Sequence, residues 1–368
     1  MEKYIPKTRS FLANYKKQIY VKEYEEPVKV VVDCALGVNP FGCSPKVSAM
    51  FKDSNEPISL YPEYPYMPLR LAISRYWNET ASVAIKEIRV GAGSMSILDL
   101  LCKCMLDPGD RVLGNVPQFP DFSTTVLSYG GVYETFPMNA ANGFELNVDE
   151  FCAAIKSEHK IVYIDNPNNP TGQVFPLDVI AKLASVCRER GALLIVDEAY
   201  ADYLDNKESS IALFPKHENL CVLRTFSKGF GLASMRVGYS FLHEPLAGIY
   251  DKVSCPFVIP SLGAILAEEA LLDEDFLIST RKAVAETKGE LLSSLKRFKA
   301  ARTHPQTPIF TLLADEGVSL QSVLSKNGVS SESGGDFANL GEHAVRLRIP
   351  KETEPLISIL QEVERELF

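Results

Sequence analysis

The stretch that decides the fold covers residues 160–200 and reads KIVYIDNPNNPTGQVFPLDVIAKLASVCRERGALLIVDEAY. Two short β-rich apolar runs, at 160–164 and 192–196, flank a segment at 177–190 whose apolar residues recur at helical spacing. The Arg190-Gly191 pair marks the boundary between that helix and the second strand. Alternation of strand and helix predicts a mostly parallel sheet with helices on both faces.

The same alternation extends outward from about residue 85 to residue 245. Further strands are predicted at 87–90, 111–114, 132–136, 220–224 and 237–241. The sequence therefore predicts an α/β fold whose large domain contains a mostly parallel seven-stranded sheet. A sheet of this kind binds its ligand at the carboxyl ends of its strands.

The sequence changes character after about residue 256. Long helices are predicted at 260–272 and 276–298, strands at 309–314 and 344–349, and a closing amphipathic helix at 354–367. The first 45 residues contain four prolines and little helical periodicity. We predict an N-terminal arm (1–45) that packs with the small domain, a large domain (46–255) and a smaller α+β domain (256–368).

Composition excludes several classes of function. The 368 residues carry a net charge of −9, so no basic surface is expected to attract a nucleic acid. The longest apolar runs are strand-length, and the first residues lack the apolar stretch of a secretory signal. The eight cysteines form no Cys-x-x-Cys pair and the five histidines form no paired metal motif. We predict a cytoplasmic protein with reduced cysteines, no bound metal and no membrane partner.

Four segments at predicted strand ends carry residues suited to chemistry. A rigid Asn/Pro/Gly turn at 165–172 fixes Asn169, and Asp197 follows a buried strand directly. Lys228 lies among hydroxyls and glycines, and a Gly-Ala-Gly sequence precedes the helix that begins near Ser94. Taken singly, each segment also fits an ordinary turn, a capping or ion-paired acid, or an exposed loop lysine.

In this order, the four segments resemble the fold-type I pyridoxal-phosphate enzymes of aminotransferase class I/II, and among them the histidinol-phosphate aminotransferase subgroup. The strongest pieces are 166–172, 196–200 and 227–239, and the resemblance extends from Asn39 to Arg346. It implies the aspartate-aminotransferase-like pyridoxal-phosphate transferase fold and pyridoxal 5′-phosphate as cofactor. It also implies a small amino-acid substrate and a homodimer with shared active sites.

The resemblance implies a role for each matching residue. Lys228 would carry the cofactor through its ε-nitrogen and move the proton at the substrate Cα. Asp197 would keep the pyridine nitrogen protonated, and Asn169 and Tyr200 would hydrogen-bond the phenolic oxygen. Phe119 would stack on the ring, and Tyr61 would reach the phosphate of the cofactor that is bound in the partner subunit. The remaining implied contacts are to the cofactor phosphate within the same subunit, and they come from Ser94, Met95, Thr225, Ser227 and Arg236.

The substrate side departs from the subgroup. Arg346 matches the arginine that binds the substrate α-carboxylate. Asn39 lies in segment 33–40, whose sequence is unusual for the subgroup. Where the subgroup has an arginine for the substrate phosphate, this chain has Glu332 at or near that position. A carboxylate would repel a phosphate dianion by several kcal/mol in a poorly screened pocket, which favours a cationic side chain. A Glu332 that points into solvent is the open alternative.

The sequence leaves several functions open. The first is an aminotransferase acting on an amino acid with a guanidino or amino side chain. The second is a lyase or cyclase of the same fold, for example one that cyclises a hydroxylated arginine, because the fold hosts both chemistries. A histidinol-phosphate aminotransferase proper and a non-enzymatic ligand sensor complete the set.

Overall fold

The structure is a computed structural model that describes residues 8–15 and 29–368. Much of the predicted arm, residues 1–7 and 16–28, lies outside the described residues. Within the described ranges the strands are β1 (Val32–Asp33), β2 (Ile88–Gly91), β3 (Arg111–Val116), β4 (Val132–Pro137), β5 (His159–Asp165), β6 (Leu193–Asp197), β7 (Leu220–Thr225), β8 (Gly238–Phe241), β9 (Lys299–Ala300), β10 (Ile309–Leu313), β11 (Val329–Ser330), β12 (Glu332–Ser333) and β13 (Ala344–Arg348).

The helices pack on both faces of the large sheet and around the smaller sheets. Helix α6 shows why they form, since its buried residues Ile180, Leu183, Ala184 and Cys187 follow the helical period. The α-helices of the described residues are α1 (Pro45–Asp53), α2 (Met67–Trp77), α3 (Ser94–Met105), α4 (Pro120–Ser128), α5 (Val148–Ala154), α6 (Leu177–Arg190), α7 (Leu246–Val253), α8 (Ser261–Leu271), α9 (Glu274–Ser294), α10 (Leu320–Lys326) and α11 (Glu354–Leu367).

The largest sheet has seven strands in the order β2-β8-β7-β6-β5-β3-β4. Strand β8 pairs antiparallel with both of its neighbours, and the pairs β3–β4, β3–β5, β5–β6 and β6–β7 are parallel. Successive residues of β6 enter different apolar clusters, with Leu194 and Val196 on one face and Ile195 on the other. This doubly covered sheet confirms the predicted α/β class and the seven predicted strands.

The C-terminal region builds a second core. Strands β12, β13, β10 and β9 form an antiparallel sheet in that order, and β1 pairs parallel with β11. The short strand β1 thus brings residues 32–33 against the C-terminal region, where the backbone N–H of Arg348 donates to the carbonyl of Cys34. The division at residues 45 and 255 stays a prediction.

Helix α9 ends four residues earlier than its apolar periodicity predicts. It stops at Ser294, and Leu295 is extended. The reason is a long-range contact, because the Glu364 carboxylate accepts hydrogen bonds from the backbone N–H groups of Lys296, Arg297 and Phe298 at 2.8–2.9 Å. A buried carboxylate that satisfies three backbone donors holds this segment out of the helix.

All eight cysteines lie in the described residues, and none forms a disulfide. Among the helices in the described ranges, none combines the length and apolar character that crossing a bilayer requires. No group of histidine, cysteine or acidic side chains within those ranges is arranged to hold a metal ion. The cytoplasmic location stays a prediction.

Candidate active site

Ten of the predicted residues line a single cavity of about 240 Å³ at the carboxyl edge of the large sheet. They come from five separate segments of the chain, which the parallel topology brings to one edge. The ten residues are Ser94, Met95, Phe119, Asn169, Asp197, Tyr200, Thr225, Ser227, Lys228 and Arg236.

One group of residues that line the cavity is suited to an anion. Helix α3 begins at Ser94 without a side-chain cap, so its first N–H groups remain as donors at the positive end of the helix dipole. Thr225 Oγ1 lies 3.0 Å from Ser227 Oγ, and Arg236 Nη1 lies 3.4 Å from the same Ser227 oxygen. Gly93 has a φ of +79°, and a Cβ there would lie 2.6 Å from Arg236 Nη2. Hydroxyl, guanidinium and backbone donors therefore converge on a concave site that a side chain would fill.

A buried carboxylate also lines the cavity. Asp197 is 4% exposed; its Oδ2 accepts from the Tyr163 hydroxyl at 3.0 Å and its Oδ1 from the Ala199 N–H at 3.1 Å. Burial raises the pKa of Asp197 to about 6, while the two hydrogen bonds and the charge of Lys228 act in the opposite direction. A buried acid of this kind is stabilised when a cation meets it in the cavity.

Lys228 lines the same cavity. Its Nζ is 5.3 Å from the centroid of the Tyr200 ring, and both residues line the cavity. Burial raises the pKa of the Tyr200 phenol, so this hydroxyl stays a hydrogen-bond donor near neutral pH. The Lys228 amine and the Tyr200 phenol are thus neighbours at the cavity.

Arg346 and Arg348 differ in the side chains with which they interact. Both lie on β13, and strand alternation alone places them on the same face. Arg346 Nη1 donates to Asn169 Oδ1 at 3.3 Å, at the edge of the cavity. Arg348 instead donates to the carbonyl of Leu36 and pairs with Asp33 at 3.3 Å. The geometry favours Arg346 as the arginine that faces a substrate.

Glu332 does not point into solvent. It is 7% exposed and pairs in register with Arg346 across β12 and β13. Its Oε1 lies 3.4 Å from Arg346 Nη2. The carboxylate is therefore placed beside the arginine predicted to bind the substrate α-carboxylate.

Four predicted residues lie outside the cavity lining of this chain, namely Arg346 and Glu332, described above, and Asn39 and Tyr61. Asn39 is buried behind Lys228, where its side-chain amide donates to the carbonyl of Gly229 at 2.7 Å. Tyr61 is 82% exposed and stacks on Phe257 with ring centroids 4.9 Å apart. The substrate contact of Asn39 and the reach of Tyr61 into a partner subunit stay predictions.

The cavity also contains residues that the sequence did not single out. Leu36 and Val38 line it from the N-terminal segment, and a Cβ on Gly37 between them would collide with the Tyr200 hydroxyl. Asp165 lines it at the end of β5, in register with Asp197. An acid directly after a buried strand was the available signal for Asp165, and it is the same signal that identified Asp197.

Comparison with known proteins decides the family. The sequence profile of "Aminotransferase class I and II" matches residues 29–356. The chain belongs to this family. A histidinol-phosphate aminotransferase of Listeria welshimeri is 33% identical over 332 residues, which cover 88% of this chain and 89% of that protein. The one from Methanocaldococcus jannaschii is 27% identical over 98% of this chain and 96% of its own length.

Solved structures confirm the fold. The crystal structure of histidinol-phosphate aminotransferase from Sinorhizobium meliloti in complex with pyridoxal-5′-phosphate superposes with a TM-score of 0.80. That match is 23% identical and covers 92% of each chain. This class I/II aminotransferase therefore has the predicted aspartate-aminotransferase-like fold, and it is an enzyme of a pyridoxal-phosphate-dependent family.

The cavity fits this cofactor on its own chemistry. Pyridoxal phosphate has an anionic phosphate at one end and a basic ring nitrogen at the other. The donors around Ser94 and Ser227 suit the phosphate, and the buried Asp197 suits a protonated ring nitrogen. Lys228, which would supply the amine, lines the same cavity. The predicted cofactor thus agrees with both the family and the donor set.

Proposed function

We propose that this enzyme transfers an amino group from an amino acid to a 2-oxo acid. The observation that carries the proposal is the placement of Lys228, Asp197 and Asn169 around one cavity, with Arg346 hydrogen-bonded to Asn169. An amine able to move a proton, a buried anion and a carboxylate-binding arginine are the groups that amino transfer needs from its protein.

Each group has a defined task in this proposal. Bound pyridoxal phosphate supplies an electron sink for negative charge that develops at the substrate Cα. Lys228 Nζ would take the proton from that Cα and deliver it to the C4′ carbon of the cofactor, as amino transfer requires, and Asp197 would hold a proton on the ring nitrogen. Arg346, which donates to Asn169, would orient the substrate through its α-carboxylate, so that the Cα–H bond is presented to the lysine.

The remaining cavity residues would hold the cofactor. The backbone N–H groups of Ser94 and Met95 would bind the phosphate together with three side chains from the β7–β8 connection, namely those of Thr225, Ser227 and Arg236. Phe119 would cover one face of the ring, and Tyr200 would donate to the phenolic oxygen. Converging contacts of this kind fix the cofactor before the substrate arrives.

A stoichiometry measurement separates transamination from elimination or cyclisation. In a rapid-quench experiment with an amino acid alone, we expect one equivalent of 2-oxo acid per active site, followed by arrest. Addition of a 2-oxo acid acceptor should restore continuous turnover. Continuous turnover without an acceptor, with release of ammonia or of a side-chain group, would instead establish the lyase or cyclase alternative.

We further propose that the substrate carries a cationic guanidino or amino side chain. Glu332 and Arg346 form a buried pair of opposite charges 3.4 Å apart, and the substrate α-carboxylate adds a negative charge beside them. A phosphate dianion would add more charge of the same sign, whereas a cation would balance it. The relatives named histidinol-phosphate aminotransferase make histidinol phosphate the competing substrate.

The Glu332→Gln variant tests whether the substrate is cationic or phosphorylated, through the ratio of kcat/KM for the two kinds of substrate. We expect kcat/KM for arginine, relative to kcat/KM for histidinol phosphate, to fall by about 10- to 100-fold, because a poorly screened charge pair is worth a few kcal/mol. The matched control is Asp33→Asn, which removes the acid paired with the neighbouring Arg348 and should leave the ratio unchanged. Efficient turnover of histidinol phosphate by the unaltered enzyme, with none of arginine, would contradict the proposal.

We also propose that the enzyme is a homodimer in which Tyr61 completes the site of the partner subunit. Tyr61 lies in a patch of exposed apolar and aromatic residues that includes Ile58, Leu60, Tyr64 and Phe257. Exposed apolar clusters of this kind are typical of protein–protein interfaces. A second copy of the chain is the proposed partner.

Hybrid dimers test the shared site. Mixing the Lys228→Ala and Tyr61→Ala variants after reversible dissociation should produce hybrids in which one site has both Lys228 and Tyr61. We expect activity to rise to about a quarter of the wild-type level, since half of the dimers are hybrids and each has one intact site of two. No rise, or a fully active monomer in sedimentation analysis, would contradict the arrangement.

A further inference from the structure

Asp165 occupies an unusual position at the cofactor cavity. It is 4% exposed, ends β5, and pairs in register with Asp197 at the end of β6. Two carboxyl groups therefore lie side by side at the carboxyl edge of the sheet. The mechanism proposed above uses Asp197 and assigns no task to Asp165.

The hydrogen bonds of Asp165 join two separate parts of the site through three donors. Its Oδ2 accepts from the backbone N–H of Phe119 at 3.2 Å and from the backbone N–H of Asn169 at 2.9 Å. Its Oδ1 accepts from the side-chain amide of Asn168 at 2.8 Å. One oxygen atom thus ties the start of α4 to the turn that follows β5.

The residue type matters for this geometry. A carboxylate presents two acceptor oxygens, whereas the amide of an asparagine presents one acceptor and one donor. An asparagine at this position would leave at least one of the three donors facing another donor. Burial and the neighbouring Asp197 raise the pKa of Asp165 to about 7, and the three donors act in the opposite direction. Burial of a second carboxyl group beside Asp197 is thus unfavourable by itself, and the three hydrogen bonds oppose this penalty.

The two backbone groups that Asp165 joins belong to residues with distinct tasks. Phe119 is proposed to cover the ring face, and Asn169 is proposed to bind the phenolic oxygen and accepts from Arg346. We propose that Asp165 is a positioning residue, whose carboxylate fixes Phe119 and Asn169 relative to each other and thereby sets the orientation of the bound cofactor. This inference rests on the proposed function.

Glu364 provides a matched control for the test. It is also buried, at 4% exposed, and its carboxylate also accepts three hydrogen bonds from N–H groups, those of Lys296, Arg297 and Phe298. It lies on α11, and neither it nor its partners line the cavity. All three bonds end on Oε1, which glutamine retains, so Glu364→Gln removes the negative charge that strengthens these buried hydrogen bonds without touching the site.

The experiment compares Asp165→Asn with Glu364→Gln in two measurements on the full chain. The first is the dissociation constant of added pyridoxal phosphate, and the second is the visible circular dichroism of the bound cofactor, which reports its orientation. We expect Asp165→Asn to weaken cofactor binding by about 10- to 100-fold, as expected for an unpaired buried donor, and to change the dichroism. Glu364→Gln should lower the melting temperature but leave both cofactor measurements at wild-type values.

The inference is overturned if Asp165→Asn loses as much melting temperature as Glu364→Gln but keeps the cofactor affinity and the dichroism of the wild-type enzyme. If Asp165→Asn does not fold, Asp165→Glu replaces it, since it keeps the carboxylate but moves both oxygens by one methylene. Wild-type dichroism in that variant would also overturn the inference. A wild-type enzyme that binds no pyridoxal phosphate would instead refute the proposed function, so the two failures are distinguishable.

Discussion

Replacement of Lys228 by alanine is expected to lower kcat by at least about 10⁴-fold and to remove the visible absorbance of the bound cofactor. The side chain lies on the cavity wall beside Tyr200 and has two tasks in our account, to carry the cofactor and to move the Cα proton. Alanine removes both tasks and leaves the phosphate-binding groups in place. Steady-state kinetics and an absorbance spectrum of the reconstituted variant measure the two losses.

The Lys228→Arg variant separates the amine from its charge. Arginine keeps a positive charge near Asp197 but stays protonated at working pH, so it can neither attack an aldehyde nor accept a proton. We expect it to be as inactive as the alanine variant, with cofactor affinity closer to that of the wild type. Turnover by either variant within tenfold of the wild type would remove Lys228 from its role.

Asp197→Asn is expected to lower kcat/KM by about 10²- to 10⁴-fold, with a smaller loss in cofactor affinity. An amide at this position cannot hold a proton on the ring nitrogen, so negative charge at the substrate Cα is less stabilised. The hydrogen bonds from Tyr163 and Ala199 show that the site is shaped for an acceptor. Kinetics with saturating cofactor, compared with Asp197→Glu, distinguish the loss of charge from the loss of shape.

The pH dependence of cofactor binding provides an independent check on Asp197. In the cofactor-free protein, burial raises the pKa of Asp197 to about 6, so its contribution to stability is largest at low pH and is lost as the pH rises through 6. A cationic ring nitrogen favours the ionised acid, so cofactor affinity should rise with pH up to about 6. Asp197→Asn should lack this component, and identical profiles of the two proteins would contradict the assignment.

Local patterns in the sequence were sufficient for the seven strands, whereas the roles of the ten predicted residues that line the cavity came from the resemblance to a known family. Alternating apolar runs and the turns between them depend on neighbours in the chain, and parallel topology then brings the strand ends together. The assignment of Asn169, Asp197 and Lys228 to one edge followed from this rule alone. The structure places all three residues there.

The features that the sequence did not predict depend on contacts between distant segments. Helix α9 ends early because Glu364, about 70 residues away, captures the following N–H groups. Arg346 and Arg348 differ because their partners, Asn169 and Asp33, come from distant segments. Periodicity within β13 contains no information about these partners.

The most direct test of the account is to locate the amine that holds the cofactor. Enzyme reconstituted with pyridoxal phosphate is reduced with borohydride, digested, and analysed by peptide mass spectrometry. We expect one phosphopyridoxyl group per chain, on the peptide that contains Lys228. No label, or a label on another lysine such as the buried Lys288, would contradict it.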